Sequence, residues 1–492
     1  MSYPHTQNAV TTACNLINGA WEAPGQHPLI ENRNPFDARE LLGYAPDSSR
    51  ADAARAIEAA RSAFTQWRLV PAPQRGKLVE QAARLLLERK EAIARALTQE
   101  EGKTLGESLG EVERAIACIT FAAGEGVRLV GRTIPSAGTT GFHYTVREPL
   151  GVVGLITPWN FPVSIPAWKI APALVAGNTA VLKPSPLTPI TAEMVVGCFV
   201  DAGVPAGVLN LVHGTTDVGL ELTQNPCVKA VSFTGSTHVG KAVYQQTAAH
   251  TGRCLMEMGG KNPLVVLADA DLKLAAKQAS LGAFGSTGQR CTATSRIIVE
   301  KPVQDEFERL LLEEVAQIVM GDGLASETTM GPCVDMNRQK EILAHISQAH
   351  ADGAKLLCGG GIPGAPALSH GYFIEATVFN GVTPAMRLFR EEVFGPVLAI
   401  TTADNYDHAL ALANDCAFGL SSSIFTSNLN SAMRFARDSE VGMVHVNVNT
   451  TYSEPHLPFG GTKDSGFGGR EAGWESLEFY TEWKTVYMDG LY

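Results

Sequence analysis

Two helical stripes mark the first hundred residues. Residues 51–66, ADAARAIEAARSAFTQ, and 77–98, KLVEQAARLLLERKEAIARALT, repeat apolar positions at i, i+3 and i+4. Each predicts an amphipathic helix with one apolar face turned to a core. From about residue 150 the texture changes. Short β-rich runs appear: GVVGLIT (151–157), AVLKPS (180–185), VLNLVHG (208–214) and VKAVSFTG (228–235). Helix-like segments separate them, and one, IPAWKIAPALVAG (165–177), ends in glycine as helices often do. Strands alternating with helices at this spacing predict a doubly wound α/β sheet, a class that binds nucleotides at the carboxyl ends of its strands. A second alternation opens near 262 with NPLVVLADADL and runs on through SRIIVEKPV, AKLLCGGG, VLAITTADN and GLSSSIFTS, which predicts a second α/β unit. Residues 129–147 and the tail SLEFYTEWKTVYMDGLY are β-prone and lack helical period. Segments so far apart are expected to pair as an arm, within or between subunits.

Composition narrows the function without naming it. The 492 residues are 45% hydrophobic and 18% charged, with a formal net charge of −11. The length suggests two to four domains, each able to bury its own core. A net acidic chain without long basic runs argues against nucleic acid as the main partner, though a local basic pocket could still hold an anion. Residues 1–20 lack a basic start followed by an apolar core, and no apolar run approaches the roughly 18–20 residues needed to span a bilayer. A cytoplasmic protein with no membrane partner is expected. The nine cysteines are odd in number, widely spaced and without a C-x-x-C pair, so neither a zinc cluster nor a redox dithiol is expected. No other metal site is expected, and no disulfide in a reducing cytosol.

Five stretches hold candidate chemistry. FGSTGQRCTATSR (284–296) sets Cys291 directly after Arg290 in a polar, glycine-bearing run; the thiol is either a buried filler or a nucleophile. FTGSTHVGKA (233–242) resembles a phosphate loop, but Ala242 stands where Mg²⁺ binding needs Ser or Thr, which argues against an ATP site. A strand, a glycine turn and a helix N-terminus remain, and these suit any pyrophosphate or are an ordinary turn. TPWNFP (157–162) holds Asn160 between prolines, as a rigid turn or as an amide aimed at an oxyanion. LMEMGGKNP (255–263) places Glu257 in an apolar stretch, where burial raises a carboxylate's pKa and suits it to act as a base near neutral pH; a buried, paired glutamate is the alternative. EEVFGPV (391–397) offers two acids, either on a solvated surface or accepting from ribose hydroxyls.

Taken together and in this order, TPWNFP, KPS, FTGST, EMGGKNP, GQRC, EEVFGPV and PFGGTKDSG resemble the aldehyde dehydrogenase superfamily over roughly residues 15–490. The resemblance is closest to the branch acting on α-ketoglutaric semialdehyde (2,5-dioxopentanoate) and succinate semialdehyde. It implies the aldehyde dehydrogenase fold: a Rossmann-like cofactor domain (1–128 and 148–256), an α/β catalytic domain (257–464) and a small β oligomerisation arm (129–147 and 465–492), forming homodimers or homotetramers. It implies NAD(P)-dependent oxidation of a small-molecule aldehyde to an acid through a Cys291 thiohemiacetal and thioester. Asn160 and the Cys291 N–H would hold the oxyanion, Glu257 would activate the hydrolytic water, and Lys169 would join a proton relay to Glu257. Coenzyme contacts would come from Ile156, Thr157, Pro158, Trp159, Lys183, Ser185, Pro186, Gly214, Gly219, Phe233, Gly235, Ser236, Val239, Gly260, Glu392 and Phe394. Phe161, Trp168, Arg290, Thr292 and Phe459 would line the substrate site.

Three departures from the pattern carry expectations of their own. Strictly NAD-using relatives place a glutamate three residues after the KPS lysine, where this chain has Pro186; NADP is therefore expected to be accepted, with NAD also usable. The semialdehyde branch commonly has an arginine after the Phe of the cysteine motif, where this chain has Gly285, and Arg290 could replace it in part. After DSGFG the chain reads Gly469-Arg470-Glu471, one glycine more than usual, expected near the arm and away from the chemistry. Other readings are an enzyme for uncharged aliphatic or aromatic aldehydes, an acylating enzyme using coenzyme A, and a non-catalytic protein on the same scaffold. The presence of Glu257 counts against the second, and Cys291, Glu257 and Asn160 together count against the third.

Overall fold

Ser49 and Thr104 open two long helices with reciprocal caps, each hydroxyl accepting from an N3 backbone N–H while Asp52 or Glu107 reaches back to the cap. The first is Arg50–Trp67, as the apolar stripe predicts. In the computed structural model, which describes residues 10–490, the second stripe is broken. It forms Ala72–Glu88 and Lys90–Glu101, separated at Arg89, which leaves helical geometry and pairs with Asp201 at 2.6 Å. A continuous apolar period hides such a break because both halves face the same core. The helix Ser164–Ala176 is buried along its whole length and stops at Gly177, whose φ of +100° suits glycine.

The predicted doubly wound sheet is present. Its parallel strands lie in the order Arg253–Glu257, Val228–Thr234, Val152–Ile156, Thr179–Lys183, Leu209–Leu211. Chain order reverses on either side of Val152–Ile156, which makes the crevice beyond its carboxyl end the site where such sheets bind nucleotides. Antiparallel strands close both edges: Gly466–Phe467 beside Arg253–Glu257, and Asn15–Ile17 beside Leu209–Leu211.

The second unit is a seven-stranded sheet running from Lys355–Cys358 to Met443–Val446, with Thr294–Glu300 and Asn262–Val266 at its centre. All its pairings are parallel except that of Lys355–Cys358. The predicted arm forms within the chain: Thr481–Met488 pairs antiparallel with Phe142–Pro149, which pairs with Arg132–Ile134. The front of the tail differs from the expectation. Ser476–Phe479 is a short helical turn with Leu477 and Phe479 buried. Leu491 and Tyr492, and the first nine residues of the leader reading, lie outside the described residues. Among the described residues no helix is long and apolar enough to cross a membrane.

Candidate active site

Cys291 lies on the connection between the helix Leu272–Phe284 and the strand Thr294–Glu300. That connection is strained and pinned. Ser286 and Thr287 take left-handed φ values of +48° and +58°. Ser286 N–H donates to Glu107 at 2.6 Å, the Thr287 hydroxyl to Gly331 O at 3.0 Å, and Gln289 Oε1 accepts from Val334 N–H at 3.0 Å. The Cys291 carbonyl accepts from Asn262 Nδ2 at 2.8 Å. Gly260 has to be glycine here, since a Cβ would fall 2.5 Å from that carbonyl.

Asn160 and Glu257 approach the connection that carries Cys291 from the first unit. Asn160 is buried and its Nδ2 donates to Gln289 O at 2.9 Å, two residues before Cys291. Glu257 ends its strand fully buried, its two oxygens without a close hydrogen-bond partner beyond the neighbouring Gly461 backbone. Burial pushes its pKa well up and the neighbouring Glu471 adds to the rise, while Lys169, Arg470 and the Gly461 backbone lower it only in part. The Cys291 thiol is pushed up to about 12 by burial, then by the carboxylates of Glu392 and Glu257. The two acids thus face the sulfur from opposite sequence motifs.

The relay residue is arranged differently from the simplest reading. Lys169, buried on the helix Ser164–Ala176, donates to Glu471 and to the Ser232 hydroxyl at 2.7 Å; Ser232 in turn donates to Glu471 at 2.9 Å. Burial lowers the Lys169 pKa and Glu471 opposes that. The expectation that Gly469-Arg470-Glu471 stays away from the chemistry is therefore overturned. A backbone bridge between Phe459 and Glu471 brings this segment beside the expected base and relay residue, so Glu471 pairs with Lys169 and Arg470 faces Glu257. The segment follows the PFGGTKDSG motif closely, but nothing in the sequence shows that it folds back onto Phe459 and Lys169.

The mouth of the site is aromatic and basic. Trp168 packs on Phe459 with ring centroids 5.3 Å apart, and Cys291 packs against the Phe459 cluster. Thr292 is buried beside it, its carbonyl accepting from the Thr450 hydroxyl at 2.7 Å. The guanidinium of Arg290 lies 5.6 Å from the Phe161 ring, bonds Ser286 Oγ at 2.9 Å and stands 3.6 Å from Glu107. Gly285 lies beside it: a Cβ there would make ordinary contact with the Arg290 Nη2 at 3.5 Å. A second cation was missed. Arg114, from the helix Leu105–Glu125, stacks 5.4 Å from the Trp168 ring and donates to Ser453 O and Oγ at 2.9 and 2.6 Å. Burial lowers its pKa, while Cys118 and Cys291 raise it and Arg290 lowers it further, so Arg114, Arg290 and the sulfur share one neighbourhood. One basic residue within an ordinary amphipathic helix carries no sequence signal.

The coenzyme candidates gather at the carboxyl ends of the first sheet. Ile156 and Thr157 end the strand Val152–Ile156, followed by Pro158 and by Trp159, whose ring meets Phe394 edge-on at 5.6 Å. Lys183 ends the next strand, buried, its pKa drawn down to about 8 by burial, its ammonium donating to Pro184 O at 3.0 Å. Ser185 Oγ accepts from Leu187 N–H, and Pro186 follows in the same turn. Gly219 lies beside the Lys183 stem, and Gly214 has φ +145° with Ser48 close to where a Cβ would stand. Phe233, Gly235 and Ser236 lead into the helix Thr237–Ala248, where Ser236 caps Val239 N–H. Glu392 accepts from Gly260 N–H at 2.8 Å, and burial raises it to about 7. The buried hydroxyls of Thr157 and Thr234 have no protein partner at these strand ends. Unmet polar groups, a capped helix start and a buried ammonium fit a pyrophosphate-linked dinucleotide. Among the described residues no three His, Cys, Asp or Glu side chains cluster as metal ligands, and all nine cysteines are free.

The aldehyde dehydrogenase family model matches residues 21–486, and the chain belongs to that family of oxidoreductases acting on aldehydes. It is 42% identical to the α-ketoglutaric semialdehyde dehydrogenase of Bacillus subtilis (strain 168), over 97% of this chain and 98% of that one. Among solved structures it is similar to the betaine aldehyde dehydrogenase of Staphylococcus aureus in complex with NAD⁺ (36% identity, TM-score 0.95, 97% of this chain and 95% of that one). It is also similar to an NADP-dependent enzyme of E. coli (35% identity, TM-score 0.94, 97% and 98% covered).

Proposed function

We propose that the protein oxidises a small semialdehyde bearing a carboxylate, of the 2,5-dioxopentanoate or succinate semialdehyde type, to the dicarboxylic acid. The observation that carries the substrate class is the pair Arg114 and Arg290 at the mouth above Cys291, two guanidiniums framed by Phe161 and Trp168. Planar guanidinium groups bind carboxylates in a bidentate fashion, and a desolvated site strengthens the attraction. The name of the Bacillus subtilis relative points the same way.

The Cys291 sulfur adds to the aldehyde carbon and forms a thiohemiacetal. Its oxyanion is met by the Asn160 side-chain amide and the Cys291 N–H. The thiol is held protonated by burial and two acids, so Glu257 first takes its proton. NAD or NADP, when bound, supplies the hydride acceptor. Thr157, Lys183, Ser185 and Ser236 would hold its adenosine and pyrophosphate, and Glu392 its second ribose. Loss of hydride leaves a thioester on Cys291. Glu257 passes the thiol proton on through Lys169–Glu471 and so regains its carboxylate; it then draws a proton from water as the water attacks the thioester, and that proton leaves by the same route. Sequential use of one base fits a carboxyl whose pKa is raised well above the usual carboxylate range by burial and by Glu471. The cofactor domain is assigned to the eight-stranded sheet, the catalytic domain to the seven-stranded sheet and the arm to the sheet of Thr481–Met488, Phe142–Pro149 and Arg132–Ile134; homodimers or homotetramers form through the arm, and nine free cysteines fit a cytoplasmic setting.

The test of this chemistry is Glu257→Gln under pre-steady-state conditions with succinate semialdehyde. The variant should form its first NAD(P)H more slowly, because the thiol loses its base, and should yield at most about one NAD(P)H per site before stalling, with the unhydrolysed acyl-enzyme on Cys291 detectable by intact mass. An unchanged steady-state rate would refute the role of Glu257.

A further inference from the structure

Lys103 belongs to none of the motifs tied to the reaction, yet its side chain is only 1% exposed. Its ammonium donates to Glu111 Oε2 at 2.7 Å and to the main-chain oxygen of Asn160 at 2.6 Å. It stands 3.9 Å from Glu101 Oε2 and 4.0 Å from the centre of the Phe161 ring. The other oxygen of Glu111 accepts from the N–H groups of Val163 and Ser164, at 2.9 and 3.1 Å. Those residues open the helix that carries Trp168 and Lys169. One ammonium therefore fastens the peptide of Asn160 and, through Glu111, the start of this helix.

The lysine cannot drift. Its backbone is pressed by two glycines: a Cβ at Gly331 would fall 1.8 Å from Gly102 O, and one at Gly323 2.6 Å from Lys103 O. Its own N–H donates to Glu101 at 2.9 Å. A purely apolar side chain could fill this volume, and burying a charge is costly unless its geometry serves a purpose. The purpose indicated by the contacts is aim. A donor to a developing oxyanion acts through being held in place before the charge forms, and a displacement of about 1 Å can cost roughly 100-fold in rate.

We propose that Lys103 is the positioning residue of the oxyanion site, setting the direction of the Asn160 amide through the Asn160 carbonyl, with Glu111 as its anchor. The inference rests on the reading of Asn160 as the oxyanion donor. The test is a double-mutant cycle on the acylation rate, followed as the first turnover of NAD(P)H, with the coenzyme dissociation constant measured by fluorescence titration on each variant. Asn160→Ala should slow acylation by about 100-fold or more. Lys103→Met should slow it by about tenfold or more, and should add less than about twofold in the Asn160→Ala background. Coenzyme affinity should stay within about threefold throughout. Where an unpaired Glu111 prevents folding, the chain carrying Lys103→Met and Glu111→Gln removes both charges together and enters the same cycle. Equal slowing by Lys103→Met with and without Asn160, or no slowing while Asn160 is present, would overturn the inference and leave the donor reading intact. No slowing by Asn160→Ala would remove the donor reading, and the inference with it.

Discussion

Cys291 sits between two carboxylates that resist its ionisation. Burial, Glu392 and Glu257 push its thiol to about 12. An accessible cysteine with a low pKa alkylates readily at neutral pH; this one should not. In coenzyme-free protein, carbamidomethylation of Cys291 by iodoacetamide, read by peptide mass spectrometry, should rise about tenfold per pH unit from 7 to 9, because the thiolate fraction does so below the pKa. A plateau near pH 7 would contradict the two-carboxylate environment. The raised pKa of Glu257 has a sign of its own. Its conjugate base is the form that accepts the proton from water, so deacylation should weaken as pH falls through the raised value, well above the usual carboxylate range near 4.3. Single-turnover deacylation measured from pH 5 to 8 should therefore climb with pH, and a flat profile would remove Glu257 as the base. Cys291, Asn160 and Glu257 were legible in the sequence only when their motifs were taken together as a resemblance, since each motif alone also reads as an ordinary turn or buried side chain. Arg114, Lys103 and Glu471 were not, because one charged residue in a helix or loop acquires meaning only from what the fold sets opposite it.

At the scale of elements, the turn after the strand Thr179–Lys183 carries the expectation for the coenzyme. Pro186 brings neither charge nor side-chain acceptor to it, while Lys183 lies buried, its ammonium donating to Pro184 O at 3.0 Å. Without a carboxylate at this position the 2′-phosphate of NADP meets no repulsion there, and NAD forgoes a charge-assisted hydrogen bond typically worth about 1.5–3 kcal/mol. Pro186→Glu should move the ratio of kcat/KM values toward NAD by about tenfold or more. An unmoved ratio would show that another element sets the preference. The strands and the buried helix Ser164–Ala176 followed from period and from the terminal glycine. The break at Arg89 did not, since apolar spacing continues across it and only the Arg89–Asp201 pair marks the kink. The arm was foreseen as extended chain, but its tail portion begins as a helical turn, because Leu477 and Phe479 gain more by entering the core than by extending the strand.

For the whole molecule, the arm and the mouth lead to separate consequences. Phe142 and Tyr487 stand on the arm 48% and 77% exposed, an apolar display that assembly would cover. A chain carrying Phe142→Asp and Tyr487→Asp should lose mass on light scattering, from dimer or tetramer toward monomer; a monomeric parent, or an unchanged assembly, would contradict an arm-built oligomer. The mouth gathers cations on a chain whose formal charge is −11, so its attraction for an anion is local and depends on Arg114 and Arg290. The most direct measurement is kcat/KM for succinate semialdehyde against hexanal, in the parent chain and in Arg114→Met. The parent should favour the carboxylated aldehyde by about 10- to 100-fold, the ratio equivalent to a charge-assisted pair of roughly 1.5–3 kcal/mol, and Arg114→Met should lose most of that preference while oxidising hexanal nearly as before. A preference for hexanal in the parent chain, or a ratio untouched by Arg114→Met, would contradict the carboxylate-binding mouth.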